Sequence, residues 1–229
     1  MQGLLLVDKP AGWTSFDVVN YVRRIVASIE GKKPKNCKVG HSGTLDPFAT
    51  GLLILLIGKD YTRRASEFSK LDKTYEMTMR LGRVSTTGDP EGVITDVSDR
   101  VPNSEELVRA MDQFRGEIQQ VPPAYSAIKV NGVRAYKLAR EGKAVVIEAR
   151  PTTIHRLELL DYNYPEAKLV SEVSSGTYIR TLVEDLGKAL AVGAYTTQLR
   201  RVTIAGHSVL DAHLVADLTA ASLAEQLLT

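Results

Sequence analysis

Apolar positions recur along this chain with two spacings, one suited to strands and one to helices. Leu4 to Val7 is a short apolar run that reads as a buried strand. Val18, Val22, Ile25, Val26 and Ile29 share one helical face. Thr14 followed by Asp17 is a capping-box pattern, so a helix should start there and stop at Gly31. Leu52 to Ile57 is a second continuous apolar run, again a buried strand, and a short basic helix is expected over 61–68. From Lys73 to Leu81 the pattern alternates, with Tyr75, Met77, Met79 and Leu81 on one face and Thr74, Glu76, Thr78 and Arg80 on the other. Asn103 or Ser104 can cap a helix running through Phe114, with Leu107, Met111 and Phe114 inward.

Pro122 and Pro123 bar helix over 121–126. A strand over 127–130, a hairpin-type turn at Asn131-Gly132 and a short helix over 134–141 are expected next. Residues 145–161 read as extended structure broken at Pro151, and 168–173 alternates again. Residues 174–180 run into a helix whose inward face includes Leu182, Leu186 and Leu190. Residues 196–210 read as paired strands turning near Ala205-Gly206, and 215–228 as one amphipathic helix. Strands and helices mix without strict alternation. That predicts an α+β fold, with a large, mainly antiparallel central sheet flanked by helices.

The stretch 39–51, Val-Gly-His-Ser-Gly-Thr-Leu-Asp-Pro-Phe-Ala-Thr-Gly, interrupts these patterns. Gly40, Gly43 and Gly51 relax the backbone, while Pro47 biases Asp46 away from the helical region. A carboxylate in such a loop can be presented to a ligand. The same letters also suit a surface turn in which Asp46 only binds nearby amides.

Composition narrows the field. The chain has 229 residues, 44% hydrophobic and 24% charged, enough for one large domain or two small ones. No apolar run reaches the roughly 18 residues of a membrane helix, and the N-terminus lacks a basic start, so a cytoplasmic protein is expected. Cys37 is the only cysteine, which excludes an internal disulfide and a cysteine zinc motif. His41 has no second His or Cys at ligand spacing, so no metal is expected. Net charge is only +2, but Lys32, Lys33, Lys35 and Lys38 crowd one stretch, and Arg63–Arg64 and Arg200–Arg201 form pairs. These are solvated surface charges or phosphate contacts.

The 39–51 stretch with Leu52 and Leu53 resembles the catalytic-aspartate motif of bacterial tRNA pseudouridine synthases of the TruB family. Four further stretches resemble the same family in the same order: residues 8–15 around Lys9-Pro10, Lys73-Thr74-Tyr75, residues 121–129 from Val121-Pro122-Pro123, and Gly176–Arg180 with Leu199-Arg200-Arg201. The resemblance runs from about residue 4 to 205. It implies the pseudouridine-synthase fold with a catalytic cleft, residues 1–210 as catalytic domain, and 211–229 as a tail too short for the PUA-type RNA-binding domain of typical members.

The reaction implied is uridine to pseudouridine at position 55, in the T-loop of tRNA. The C1′–N1 bond breaks, the uracil rotates, and C5 rejoins C1′. Atoms and electrons balance without a cofactor. Asp46 would be the carboxylate at C1′, either attacking it or abstracting a sugar proton to give a glycal. Arg180 would keep Asp46 ionised, since a guanidinium forms a planar pair with a carboxylate. Tyr75, on periodicity alone a core aromatic, would stack on uracil and could take the C5 proton. His41 would pack against the RNA, Tyr178 and Leu199 would wall the uridine pocket, and Lys9, Arg200 and Arg201 would meet phosphates. A target buried in a folded loop must be turned out of its stack. The partner implied is the T-arm of tRNA, with a monomer as the default state and no obligatory protein partner. The alternatives are a non-catalytic tRNA-binding or tRNA-folding module, and the same chemistry on another RNA.

Overall fold

A computed structural model describes residues 1–130 and 132–228. The chain divides into two compact units, Met1–Tyr75 with Leu199–Thr229, and Glu76–Gln198.

The first unit opens with β1 (Gly3–Lys9), α1 (Ser15–Glu30), β2 (Val39–His41), β3 (Thr50–Ile57), α2 (Lys59–Arg63) and α3 (Ala65–Ser69). β4 (Lys73–Leu81) carries the chain into the second unit. There follow β5 (Arg83–Ser85), β6 (Ile94–Asp96), α4 (Ser104–Asp112), β7 (Gly116–Gln120), β8 (Lys129–Val130), β9 (Val133–Arg134) and α5 (Ala135–Arg140). The second unit ends with β10 (Arg150–Asn163), β11 (Glu166–Val173) and α6 (Ile179–Ala189). β12 (Ala194–Ile204) brings the chain back, and β13 (His207–Ser208) and β14 (His213–Leu214) complete the first unit.

In the first unit, β1 and β3 pair antiparallel from Gly3↔Ile57 to Lys9↔Gly51, and β2 lies antiparallel to β3. β14 on β1 and β12 on β3 pair parallel over two positions each, so the sheet is mixed, with its longer pairings antiparallel as expected. The unbroken run in β3 is explained by burial on both faces. Leu53, Leu55 and Ile57 join α1's Val18, Val19, Val22 and Val26 in one core, and Leu52, Ile54 and Leu56 join Leu4 and Leu6 in the other. α1 begins with the expected capping box of Thr14 and Asp17, worth about 1 kcal/mol, and ends on left-handed Gly31.

In the second unit, β10 pairs antiparallel with β11 on one side and β7 on the other. α4 and α6 bury Leu107, Met111, Leu182, Val183 and Leu186.

Several expectations need correction. The basic helix over 61–68 is two short helices, α2 and α3, meeting at Arg64. The strand over 127–130 shrinks to two residues, and Asn131 of the expected turn lies outside the described residues. Pro151 does not break a strand. It lies within β10 opposite Gln119, near the start, while 145–149 is irregular. Residues 215–228 form no α-helix. A 3-10 turn at Val215–Asp217 is followed by turns, and Leu228 bonds back to Leu4 at 2.8 and 2.9 Å. Helical periodicity in that segment reflects Val215, Leu218 and Leu223 entering the core of the first unit.

Candidate active site

The Asp46 loop connects β2 to β3, and three neighbours fix it. Lys9, fully buried at the end of β1, donates to the carbonyls of Pro10 (2.9 Å), Trp13 (2.6 Å) and Pro47 (3.2 Å). The Gly12 N–H also donates to Pro47 O at 2.8 Å, so the 8–15 segment grips the residue after Asp46. Ser15, buried at the start of α1, accepts from the Leu45 N–H at 2.8 Å and donates to Leu45 O at 3.2 Å. The residue before Asp46 is thereby held as firmly as the one after it. Asp46 itself is half-buried, and its carbonyl closes a turn with the Ala49 N–H at 3.1 Å.

Arg201 holds the loop's two flanks. It is 1% exposed, and it donates from Nε to Leu52 O at 2.7 Å and from Nη2 to Gly43 O at 3.1 Å. Its own backbone lies against Gly51, where an added Cβ would come within 2.3 Å of Arg201 O. That close approach and a φ of +105° are what position 51 needs a glycine for. His41 turns its Nδ1 toward the Gly43 N–H at 3.2 Å. Burial, and then the Arg201 charge, hold its imidazole below the usual range. Lys73 is buried at the start of β4 with its ammonium on the carbonyls of Ser69 and Leu71, and burial followed by Arg201 lowers it to about 8. Tyr75, 8% exposed, and Leu199, 7% exposed, also belong to this unit.

In the second unit the Gly176–Arg180 stretch leads into α6. Tyr178 is the N-cap of α6 and half-buried. Arg180, 3% exposed, forms an ion pair with Asp89 at 3.2 Å and donates to Thr87 O at 2.6 Å and Tyr125 O at 2.9 Å. Asp89, 4% exposed, is completed by the Thr87 hydroxyl at 2.5 Å and the Glu91 N–H at 3.0 Å.

The structure thus brings Asp46, Lys9, His41, Tyr75, Leu199, Arg200 and Arg201 into one unit and Tyr178 and Arg180 into the other. Two phosphate-contact expectations are corrected. Lys9 and Arg201 are buried and hydrogen-bonded to carbonyls, so they build the loop rather than face a polynucleotide. Arg200 is partly exposed and forms a two-point pair with Asp8 at 3.0 and 2.6 Å. Lys32, Lys33, Lys35, Lys38, Arg63 and Arg64 are exposed.

Sequence reading also missed residues that matter here. Ser15 and Lys73 lie in stretches that carry the family resemblance but were given no role of their own, and Asp89 was passed over, because a lone polar residue gives no periodic signal. Segment 127–150 carries the exposed cations Lys129, Arg134, Lys137, Arg140, Lys143 and Arg150 against only Glu141 and Glu148. A local charge count would have found it. Among the described residues no group of three or more His, Cys, Asp or Glu could hold a metal, and no helix is long and apolar enough to cross a membrane.

The fold is that of the pseudouridine synthases: it matches a chain of the solved Cbf5–Nop10–Gar1 complex with a TM-score of 0.66 and 27% identity, covering 94% of this chain and 53% of that one. Residues 31–179 match the family model for the N-terminal domain of TruB family pseudouridylate synthases, and the chain belongs to that family. It is 44% identical over 214 residues to tRNA pseudouridine synthase B of Aquifex aeolicus, covering 93% of this chain and 71% of that protein. It is also 44% identical to tRNA pseudouridine synthase B of Aeromonas salmonicida, spanning 90% of this chain and 61% of the relative.

Proposed function

We propose that the chain converts uridine to pseudouridine in the T-loop of tRNA, at position 55, with Asp46 as the catalytic carboxylate. The observation that carries this reading is the construction of the Asp46 loop. Both neighbours of the aspartate are pinned, Leu45 by Ser15 and Pro47 by Lys9 and Gly12. A surface turn that merely changes chain direction needs no buried ammonium behind it. A carboxylate that must meet one carbon atom does, because effective molarity depends on sub-ångström placement. The relatives named tRNA pseudouridine synthase B support tRNA as the substrate class.

In this reading the substrate needs no cofactor, since product and substrate are isomers. Asp46 engages the ribose as the C1′–N1 bond breaks, the uracil turns and C5 bonds to C1′; the proton lost from C5 is matched by one taken up at N1, so substrate and product stay isomers. Two routes serve Asp46 equally: attack on C1′, or abstraction of a sugar proton to give a glycal. Tyr75 stacks on the uracil. Arg180 is assigned the role of keeping the carboxylate charged, and Tyr178 and Leu199 that of enclosing the base. His41, held neutral, packs against the nucleotide. The exposed cations of 32–38 and 127–150 take phosphates, which predicts affinity falling steeply with salt. We further propose that the protein acts as a monomer in the cytoplasm, without an obligatory protein partner.

The test is pseudouridine mapping on a tRNA transcript and an isolated T-arm hairpin. Wild type should modify both, and Asp46→Asn neither. Product from Asp46→Asn would remove the carboxylate from the chemistry. Modification of an rRNA fragment in preference to the hairpin would favour a different RNA, a reading the solved H/ACA RNP with bound substrate RNA keeps in view. Binding without turnover by wild type would favour the folding-module reading.

A further inference from the structure

Gln120 ends β7 where the chain leaves the sheet for its proline-rich excursion. Its side chain is buried, with the residue 3% exposed. Nε2 donates to Tyr178 O at 3.0 Å, and Oε1 accepts from the Tyr178 N–H at 2.8 Å. One side-chain amide therefore makes the pair of bonds that a neighbouring strand would make. Tyr178 sits at φ −99° and ψ 108°, an extended conformation, and its carbonyl also receives the first helical bond of α6 from Leu182 at 3.1 Å. The amide holds the residue whose backbone angles set where α6 begins.

A second grip lies five residues further on. Tyr125 O accepts from Arg180 Nη2 at 2.9 Å. Pro122 and Pro123, between the two grips, each fix a φ angle and so narrow the conformations open to the span. From the opposite strand register, Thr152 on β10 bonds the hydroxyls of Ser174, at 3.1 Å, and Thr177. The turn carrying Tyr178 is thus held from both strands at the root of the excursion, and Gln120 is the member that holds main chain on both sides of one residue.

We infer that Gln120 is a positioning residue of the reaction. Its amide fixes the direction in which Tyr178 and, two residues on, Arg180 are presented, without itself touching RNA. The inference rests on the proposed function. It assigns Gln120 an effect on turnover rather than on affinity, because the phosphate contacts that carry most of the affinity are unchanged while side-chain aim at the uridine is lost. Misplacing a catalytic group by about 1 Å can cost about a hundredfold in rate.

The full chain is assayed on the T-arm hairpin, wild type first. Q120M keeps the length of the side chain and removes both hydrogen bonds. It should lower kcat by at least about tenfold and leave KM within about twofold. In Q120E the ionised carboxyl faces Tyr178 O and repels it, whereas the protonated acid can donate to that carbonyl and still accept from the N–H. Its activity relative to wild type should therefore climb as pH is lowered from 8 to 6. This second variant keeps the test alive if Q120M shows no cooperative melting. Wild-type turnover by Q120M, a loss confined to KM, or a Q120E profile parallel to wild type would each overturn the inference. Absence of product from wild type would defeat the functional reading instead. Product from wild type and Q120M alike would defeat this inference alone.

Discussion

The two regions that carry the candidate site residues bury their cations differently. Around the Asp46 loop, Arg201 and Lys73 are satisfied by main-chain carbonyls, and Lys9 is bonded to three more. At the start of α6, Arg180 has a buried carboxylate, Asp89, as well as two carbonyls. A carbonyl satisfies a hydrogen bond without cancelling the charge, whereas a carboxylate does both. The Arg201 charge is therefore registered by its neighbours. His41 and Lys73 are both pushed toward their neutral forms, by burial first and by the Arg201 charge second. In the second region the Arg180 charge has the Asp89 carboxylate beside it. A buried guanidinium held on carbonyls at the flanks of the Asp46 loop favours the charged form of a nearby carboxylate.

The largest effect should come from Gly51→Ala. The new Cβ would sit 2.3 Å from Arg201 O and 2.7 Å from Arg201 N, at a φ that side chains avoid. Backbone must move, so chemical denaturation should read a loss of about 4 kcal/mol or no folded protein. Asp89→Ala should cost less, about 3 kcal/mol, by removing the buried Asp89 carboxylate from the Arg180 guanidinium. An Asp89→Ala variant of wild-type stability would erase the contrast between the regions.

Arg201→Met should cost about 2 kcal/mol through the stranded carbonyls of Leu52 and Gly43. It should also let the His41 pKa climb toward its usual value, measured by NMR titration, because one depressing charge is gone. An unmoved His41 would mean that burial alone sets its state.

The remaining effects are those of pH. The folded His41 binds its proton less readily than the unfolded chain, whose value is near 6.5. As pH falls through that value the unfolded state gains a proton first, so stability declines. Lys73 acts in an alkaline window. Between about 8 and 10.5 the unfolded chain keeps a proton that the folded one has released, so stability from this group rises with pH. Melting temperatures of wild type, His41→Gln and Lys73→Met across pH 5–10 would separate the two, each variant flattening its own limb.

Much of the scaffold was legible in the letters. The α1 capping box, the β3 run and the alternation of β4 are local patterns, and each lies where the pattern predicts. The tail misled because its periodic apolar residues serve core contacts without helix, tied by Leu228 to the first strand. Pro151 misled because a proline tolerates a strand position near its start, here opposite Gln119. Lys9 and Arg201 misled most. A basic residue in a sequence reads as surface charge, and only a tally of carbonyl partners reveals one folded inward.

Sequence by itself determined the family and those elements whose signals are local, such as α1, β3 and β4, because propensity and capping act over a few residues. Tertiary structure decided which charges are structural and which face solvent. That distinction depends on what lies beside a side chain across strands more than a hundred residues apart, as Arg201 lies beside Leu52, and hydrogen-bond satisfaction in a buried site is settled only there.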